Sequence, residues 1–166
     1  SADGMPGAKK LVAGGAAESI FQPEWSPDGT LYFVSDRSGW WNLYRWENGS
    51  VVELHPMQAE FGEPQWGFRN AMYALESADR LMCAYSQDLK YHLAVLDTHS
   101  LAFREYELPY SVIFEVQAQA GQVVFTAGSA TQPLTLVCMH LDDGRLEEIR
   151  RVREITIDPA NFSQGR

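Results

Sequence analysis

Short apolar runs separated by turn-forming residues recur along this chain, and their composition predicts β-strands. Leu31–Val34 follows Pro27-Asp28-Gly29, in which proline presets φ and glycine accepts a positive φ. Asn48-Gly49 lies between the runs Asn42–Trp46 and Val51–Leu54, and Asn-Gly in such a position is a strong hairpin signal. No long segment carries a sustained helical period. The chain is therefore predicted to be all-β.

The first predicted unit has four antiparallel strands, and the same unit returns further along the chain. Its strands are residues 21–25, 31–36, 42–46 and 51–54. A shift of fifty residues places Leu31–Asp36 on Leu81–Ser86 and Asn42–Glu47 on His92–Asp97. The strands of a third unit are residues 112–117, 122–127, 134–141 and 146–150. A period of ~40–50 residues with four strands is typical of a β-propeller blade. A twelve-stranded sandwich is the alternative, but it gives no reason for equal spacing.

The predicted architecture is a partial β-propeller of about three four-stranded blades with one extra N-terminal strand. Lys9–Ala13 is interpreted as that strand, the last of a preceding blade, and Ser1-Ala2 as a tag remnant. The predicted divisions are residues 1–20 for remnant and strand, 21–56, 57–109 and 110–152 for the blades, and 153–166 for a linker. Closed propellers have ~4–8 blades, so we expect a piece of a larger propeller whose open faces self-associate.

Composition and charge exclude several classes of protein. Hydrophobic residues make up 45% of the chain, which is typical of a folded domain. The 13 Lys and Arg residues against 22 Asp and Glu residues give a net charge of −9, which argues against nucleic acids and anionic membranes as partners. Cys83 and Cys138 are too few for a disulfide framework. We expect a soluble, cytoplasmic protein without a cofactor.

The segment from Pro23 to Arg37, PEWSPDGTLYFVSDR, resembles the P-x-W-S-P-D-G-x-x-x-F-x-S-D-R blade signature. That signature occurs in TolB-type propellers and in the N-terminal propellers of prolyl oligopeptidase family serine peptidases. Five later segments are similar to the last blades of that family's acylaminoacyl-peptidase and dipeptidyl-aminopeptidase branch: Phe61–Trp66, Cys83–Asp88, Leu93–Asp97, Glu107–Tyr110 and Ala127–Ser129. Ile157–Ser163 resembles the linker that enters the family's α/β-hydrolase domain.

The resemblance implies a division of labour between two domains. The family's peptidase chemistry belongs to the hydrolase domain with its Ser-Asp-His triad, and the propeller covers the active site and limits entry to short peptides. Only the propeller matches here, and the chain contains no G-x-S-x-G sequence. We therefore expect that this chain alone is not an enzyme. The remaining blades, the hydrolase domain and short peptides are its expected partners; a free-standing TolB-like or WD-repeat-like binding module is the alternative.

Histidines and acidic residues offer candidate chemistry, but their positions favour structural roles. The histidines lie in turns or at strand edges without metal-ligand spacing: His55, His92, His99 and His140. The acids recur beside glycine or asparagine, where side chains bond the nearby backbone: Asp28, Asp36, Glu47, Asp97, Asp142 and Asp143. No catalytic or metal-binding residue is predicted.

Tryptophans supply the only predicted surface site. Trp40-Trp41 follows Arg37 between two strands of the first blade, and these three residues are the candidate surface for a partner or for gating of substrate. The alternative is that one tryptophan packs between blades while Arg37 stacks or pairs with an acid. Trp25 and Leu75 are equivalent under the fifty-residue shift, and both are predicted to face the interior between blades.

Overall fold

The computed structural model describes residues 7–68 and 70–152, which form three four-stranded antiparallel sheets. The first sheet contains β1 (Ile20–Trp25), β2 (Leu31–Ser35), β3 (Asn42–Glu47) and β4 (Ser50–Glu53). The second contains β5 (Tyr73–Leu75), β6 (Arg80–Gln87), β7 (Lys90–Asp97) and β8 (Phe103–Tyr106). The third contains β9 (Val112–Gln119), β10 (Gln122–Gly128), β11 (Thr135–His140) and β12 (Leu146–Arg151). Strands that follow one another in sequence are neighbours in each sheet, so the predicted partial β-propeller is confirmed.

The turn residues adopt the backbone that the sequence predicted for them. Asn48 and Gly49 both have positive φ, 50° and 87°, as a two-residue hairpin turn between β3 and β4 requires. The strand register also repeats with the fifty-residue period. Leu31 pairs with Trp46 in the first blade, and Leu81 pairs with Leu96 in the second. The internal repeat is therefore a repeat of structure as well as of sequence.

Gln22 joins the first blade to the second at their inner strands. Its side-chain amide donates to the carbonyl of Tyr73 at 2.6 Å and accepts from the N–H of Met72 at 2.8 Å. In return the Tyr73 hydroxyl donates to the carbonyl of Gln22 at 2.6 Å. Tyr73 is fully buried, so these bonds satisfy polar groups that water does not reach. One side chain thereby fixes how the two sheets sit against each other.

Glu76 joins the second blade to the third. Its carboxylate accepts two hydrogen bonds from Arg80, each of 2.8 Å, and one from the N–H of Gly121 at 2.7 Å. Only 3% of the Glu76 side chain is exposed. Burial alone would raise the pKa of Glu76, but the bonds from Arg80 and Gly121 outweigh it and lower the pKa below its ordinary value.

Glu76→Gln is expected to lower the free energy of unfolding by about 1–2 kcal/mol at neutral pH, because it removes the charge that Arg80 and Gly121 solvate. A depressed carboxyl pKa stabilises the fold above the unfolded-state value of 4.5, and this stabilisation is lost as the pH falls through the folded-state value. The difference between the two proteins should therefore shrink at pH values below 4.5. Urea unfolding of both proteins at neutral and at acidic pH measures this difference in the free energy of unfolding.

Glu148→Gln is the matched control, because Glu148 pairs with Arg151 on the surface, where both side chains are at least 40% exposed. An exposed pair contributes about 0–1 kcal/mol. Equal losses in the two variants, or a loss in Glu76→Gln that does not depend on pH, would contradict the role given to Glu76.

Trp25 was predicted to face the interior, and this prediction is wrong. It is 69% exposed, whereas Leu75 is half-buried against the core as predicted. A β-bulge in β1 is the reason: Phe21 pairs with Val34, but Trp25 pairs with Leu31, so the two aromatic residues lie on opposite faces of the sheet. Phe21 faces the second blade, and Trp25 lies on the outward face of the first.

A segment of the N-terminus, residues 10–18, covers part of that outward face. Glu18 accepts hydrogen bonds from Ser35 at 2.6 Å and Arg37 at 2.8 Å, and the ammonium group of Lys10 lies 4.6 Å from the centre of the Trp46 ring. Phe33, in the middle of the face, is only 1% exposed. The first blade is thus partly covered without a preceding blade.

Lys9–Ala13, the predicted extra strand, forms no strand in the described structure. A strand needs a partner strand, and the blade to which this one was assigned is not among the described residues. The predicted linker, residues 153–166, and the Ser1-Ala2 remnant lie outside the described residues. Self-association through open faces stays a prediction. The described residues also include no helix with the length and apolarity to cross a bilayer.

Candidate functional site

The links between the second and third strands of each blade, and those from one blade to the next, lie on one side of the molecule, because antiparallel strands reverse direction at every turn. We call this side the connection face. Its described residues fall in the ranges 36–41, 54–68, 70–72, 88–89, 107–111 and 129–134. The last strand of each blade also ends here, including β12. Among the described residues, the hairpin turns from the first strand to the second and from the third to the fourth lie on the opposite side.

Exposed apolar side chains are concentrated on the connection face. The described residues include nine large hydrophobic side chains that are exposed, and six of them lie here: Trp40, Trp66, Phe68, Leu89, Leu134 and Val152. Trp66 and Phe68 are almost wholly exposed on one loop. Leu89 is wholly exposed as well, and it holds φ at 64°, a left-handed backbone that a leucine rarely adopts. Clusters of this kind mark surfaces that contact another molecule or domain.

The three predicted site residues belong to the connection face but do not act together. The guanidinium of Arg37 pairs with Glu18 at 2.7 Å and stacks over the ring of Tyr44, so it holds residues 10–18 in place. Trp40 is 39% exposed on the surface. Trp41 packs inward, with its ring 5.6 Å from that of Phe21. Arg37 and Trp41 therefore have the contacts of the structural alternative: Arg37 pairs with an acid, and Trp41 packs between the first blade and the connection to the second.

Gly62 is the residue that makes room for Trp41. A Cβ atom on Gly62 would lie 1.7 Å from Cε3 of the indole ring, a distance that no side chain tolerates. The backbone is anchored at the same point, because the N–H of Phe61 donates to the carbonyl of Trp41 at 2.7 Å. The indole thus directs its Cε3 edge, and not a face, at the backbone that enters the second blade.

A cavity of about 400 Å³ opens on the connection face beside Trp41. Tyr91 forms a second aromatic wall, and it is the position fifty residues after Trp41 in the next blade. Two carboxylates line the same cavity, and each is bonded to one of these residues: Glu60 accepts from the N–H of Trp41 at 2.9 Å, and Glu63 accepts from the hydroxyl of Tyr91. Burial, together with Glu63, raises the pKa of Tyr91 to about 12, so its hydroxyl stays protonated and donates.

Comparison with solved structures relates this chain to known proteins. A puromycin-hydrolyzing peptidase of Mycobacterium tuberculosis is 31% identical over 96% of this chain and 25% of its own, with a TM-score of 0.87. A puromycin hydrolase is 26% identical over 98% of this chain and 25% of its own, with a TM-score of 0.86. This chain matches the propeller portion of prolyl oligopeptidase family peptidases. It spans about a quarter of the length of the puromycin-hydrolyzing peptidases.

More distant structures agree on the fold alone. TolB from Acinetobacter baumannii is 13% identical over 80% of this chain and 32% of its own, with a TM-score of 0.61. No protein-family model matches the chain, and neither does any curated protein. The resemblance to prolyl oligopeptidase family propellers is confirmed, whereas its assignment to the acylaminoacyl or dipeptidyl branch stays a prediction.

The histidines of this peptidase-like propeller contact acids and aromatic rings. His55 stacks on Phe103 with 4.0 Å between ring centres. The other three lie near carboxylates: His92 at 2.7 Å from Glu105, His99 at 2.8 Å from Asp79 and His140 at 3.8 Å from Glu147. Within residues 7–68 and 70–152, no histidine is bonded to a serine or cysteine as a nucleophile and its base would be. These contacts hold strands and turns together.

Four of the six predicted turn acids bond nearby backbone, but Asp36 accepts from the N–H of the distant Ser19, and Glu47 accepts from the side chain of Arg45. Asp97 accepts from the N–H groups of His99 and Ser100, and these bonds lower its pKa, the Ser100 bond most. Asp143 accepts from the N–H of Arg145 at 2.9 Å, which lowers its pKa likewise. Among the described residues no group of three or more His, Cys, Asp or Glu side chains converges on one point. Burial raises the pKa of Cys83, so its thiol stays protonated.

Sequence reasoning missed five residues of the connection face and of the cavity that opens on it: Glu60, Glu63, Trp66, Phe68 and Tyr91. Two signals pointed to three of them. The segment Phe61–Trp66 carried part of the family resemblance, and Tyr91 occupies the position of Trp41 under the fifty-residue shift. Neither signal reveals which side of the sheet a residue lies on. That position depends on how the connection between the first and second blades folds.

Proposed function

We propose that this chain is the non-catalytic propeller portion of a serine peptidase that hydrolyses short peptides. Its connection face docks on an α/β-hydrolase domain and restricts which substrates reach the active site. The observation that carries the proposal is the concentration of exposed apolar side chains on this face, where the chain leaves the third blade. The match to the puromycin-hydrolyzing peptidases supports it.

The loop that carries Trp66 and Phe68 is the centre of the proposed docking surface. Each aromatic side chain buries ~150–250 Å² when it is covered, and such residues dominate interfaces. Contacts between domains of one chain typically bury ~600–1,500 Å², so two aromatic side chains supply a large share of that area. Trp40 and Leu89 on neighbouring loops extend the same surface. Docking by these residues explains why they are apolar although water surrounds them here.

The coding sequence that contains this chain provides the first test. We expect it to encode an α/β-hydrolase domain with a G-x-S-x-G serine followed by Asp and His. The 166-residue chain alone is expected to hydrolyse neither puromycin nor an aminoacyl chromogenic substrate. A coding sequence that lacks a hydrolase domain would instead favour the free-standing binding module.

In the full-length protein, the double variant Trp66→Ser with Phe68→Ser is expected to loosen the contact between propeller and hydrolase domain. Each lost aromatic anchor costs about 2 kcal/mol or more at a well-packed interface. Longer peptides should then be cleaved faster relative to dipeptide substrates, because the propeller no longer restricts access. The ratio of kcat/KM for a decapeptide to that for a dipeptide substrate measures this change.

His99→Ser is the matched control, since it removes an exposed aromatic ring from a hairpin turn on the side opposite the connection face. It should leave the ratio of the two kcat/KM values unchanged. If both variants change the ratio equally, or if the double variant leaves it unchanged, the connection face does not dock the hydrolase domain.

A further inference from the structure

We propose that the cavity between Trp41 and Tyr91 binds a guanidinium group, such as the arginine side chain of a short peptide. The cavity measures about 400 Å³, within the ~300–1,000 Å³ typical of small-molecule sites. This inference concerns binding of a small ligand and not docking on a hydrolase domain. It can be tested on the chain alone, by measuring the binding of a blocked arginine.

The aromatic walls are the first argument. Indole and phenol rings attract cations to their faces, and the tryptophan ring does so most strongly. A guanidinium is planar and weakly hydrated, so it stacks on such rings more readily than a compact ammonium group does. The ring of Trp41 is fixed beside the cavity, because it packs against Phe21 and its Cε3 edge meets Gly62. The wall is therefore in place before a ligand arrives.

The two carboxylates are the second argument. Glu60 uses Oε2 for the N–H of Trp41, and Glu63 uses Oε1 for the hydroxyl of Tyr91. Among the described residues, the other oxygen of each carboxylate takes no hydrogen bond, so both remain acceptors beside the cavity. A guanidinium carries five donors in a fixed plane and bonds carboxylates in pairs.

The charge around the cavity is the third argument. Lys90 lies next to Tyr91 in sequence but lines the neighbouring cavity instead. No lysine or arginine of the described residues lines the cavity between Trp41 and Tyr91. The net charge of −9 adds a long-range attraction for cations. Among the described residues, a cationic ligand therefore meets no competing lysine or arginine there.

Calorimetric titration of the 166-residue chain with Nα-acetylarginine amide tests the proposal. The blocked compound carries its only charge on the guanidinium, and the citrulline analogue has nearly the same shape without that charge. We expect the arginine compound to bind with a dissociation constant in the millimolar range or below, and the citrulline compound at least about tenfold more weakly. In NMR spectra the indole N–H of Trp41 and the amide of Gly62 should shift on binding.

Glu63→Gln is expected to weaken binding of the arginine compound by about tenfold, since it removes a charge-assisted hydrogen bond but keeps an acceptor for Tyr91. Glu107→Gln is the matched control: Glu107 is exposed on the same face, lines another cavity and undergoes the same change of charge. It should change binding by less than about twofold. Equal binding of the citrulline compound, equal losses in the two variants, or no binding of the arginine compound would overturn the proposal.

Discussion

Phe61→Ala is expected to lower the free energy of unfolding by about 3–5 kcal/mol. Phe61 is 1% exposed and stacks on Tyr85 with 5.0 Å between ring centres, while the ring of Phe103 meets its edge. Alanine would leave a cavity at the place where the connection from the first blade enters the second. Domains of this size are stable by only about 5–15 kcal/mol, so the variant should unfold at much lower urea concentration.

Trp25→Ala is the control for Phe61→Ala, although it removes the larger side chain. Trp25 is 69% exposed, and exposed substitutions usually change the free energy of unfolding by less than about 0.5 kcal/mol. Urea unfolding of both variants, followed by circular dichroism, compares them directly. Similar losses in the two variants would contradict the burial of Phe61 and the exposure of Trp25.

Gly62→Ala is expected to destabilise the chain by about 1–3 kcal/mol, because the added methyl group collides with the indole of Trp41. Either the ring leaves its contact with Phe21 or the backbone of the connection moves. The near-ultraviolet circular dichroism of the tryptophans should change along with the unfolding midpoint. Trp41→Leu in the same chain should relieve the collision, so the double variant should lose less than the two single losses added together.

Gly15→Ala is the matched control for Gly62→Ala. A Cβ atom on Gly15 would meet no heavy atom within 4 Å. The same substitution there should leave the midpoint and the spectrum unchanged within about 0.5 kcal/mol. Equal effects at the two glycines would contradict the close contact between Gly62 and Trp41.

The strands and their repeat could be predicted from sequence because their signals are local. Asn48-Gly49 specifies its turn through positive φ at both positions, and the fifty-residue shift matches strands residue for residue. The exposure of Trp25 could not be predicted from the sequence, because a bulge changes the face that a residue occupies without altering the composition of the strand. Lys9–Ala13 has strand composition, but the strand that would pair with it is not among the described residues.

The candidate site was only partly predictable, because its parts are far apart in sequence. The sequence singled out Trp40-Trp41 as exceptional but did not reveal that Trp41 packs inward. The cavity joins Trp41 to Tyr91, which are separated by a whole blade, and to Glu60 and Glu63 on an irregular connection. Only the packing of one blade against the next brings these groups together.

Hydrogen bonds from Ser35 and Arg37 to Glu18 hold the segment 10–18 on the first blade. This contact also affects when the first blade can fold during synthesis. The segment leaves the ribosome before the blade that it covers, and its partners follow within about twenty residues. The first blade can therefore complete much of its packing during synthesis, from contacts close in sequence. Each later blade can then pack on a neighbour that has already formed, because each repeat contacts only the repeats beside it.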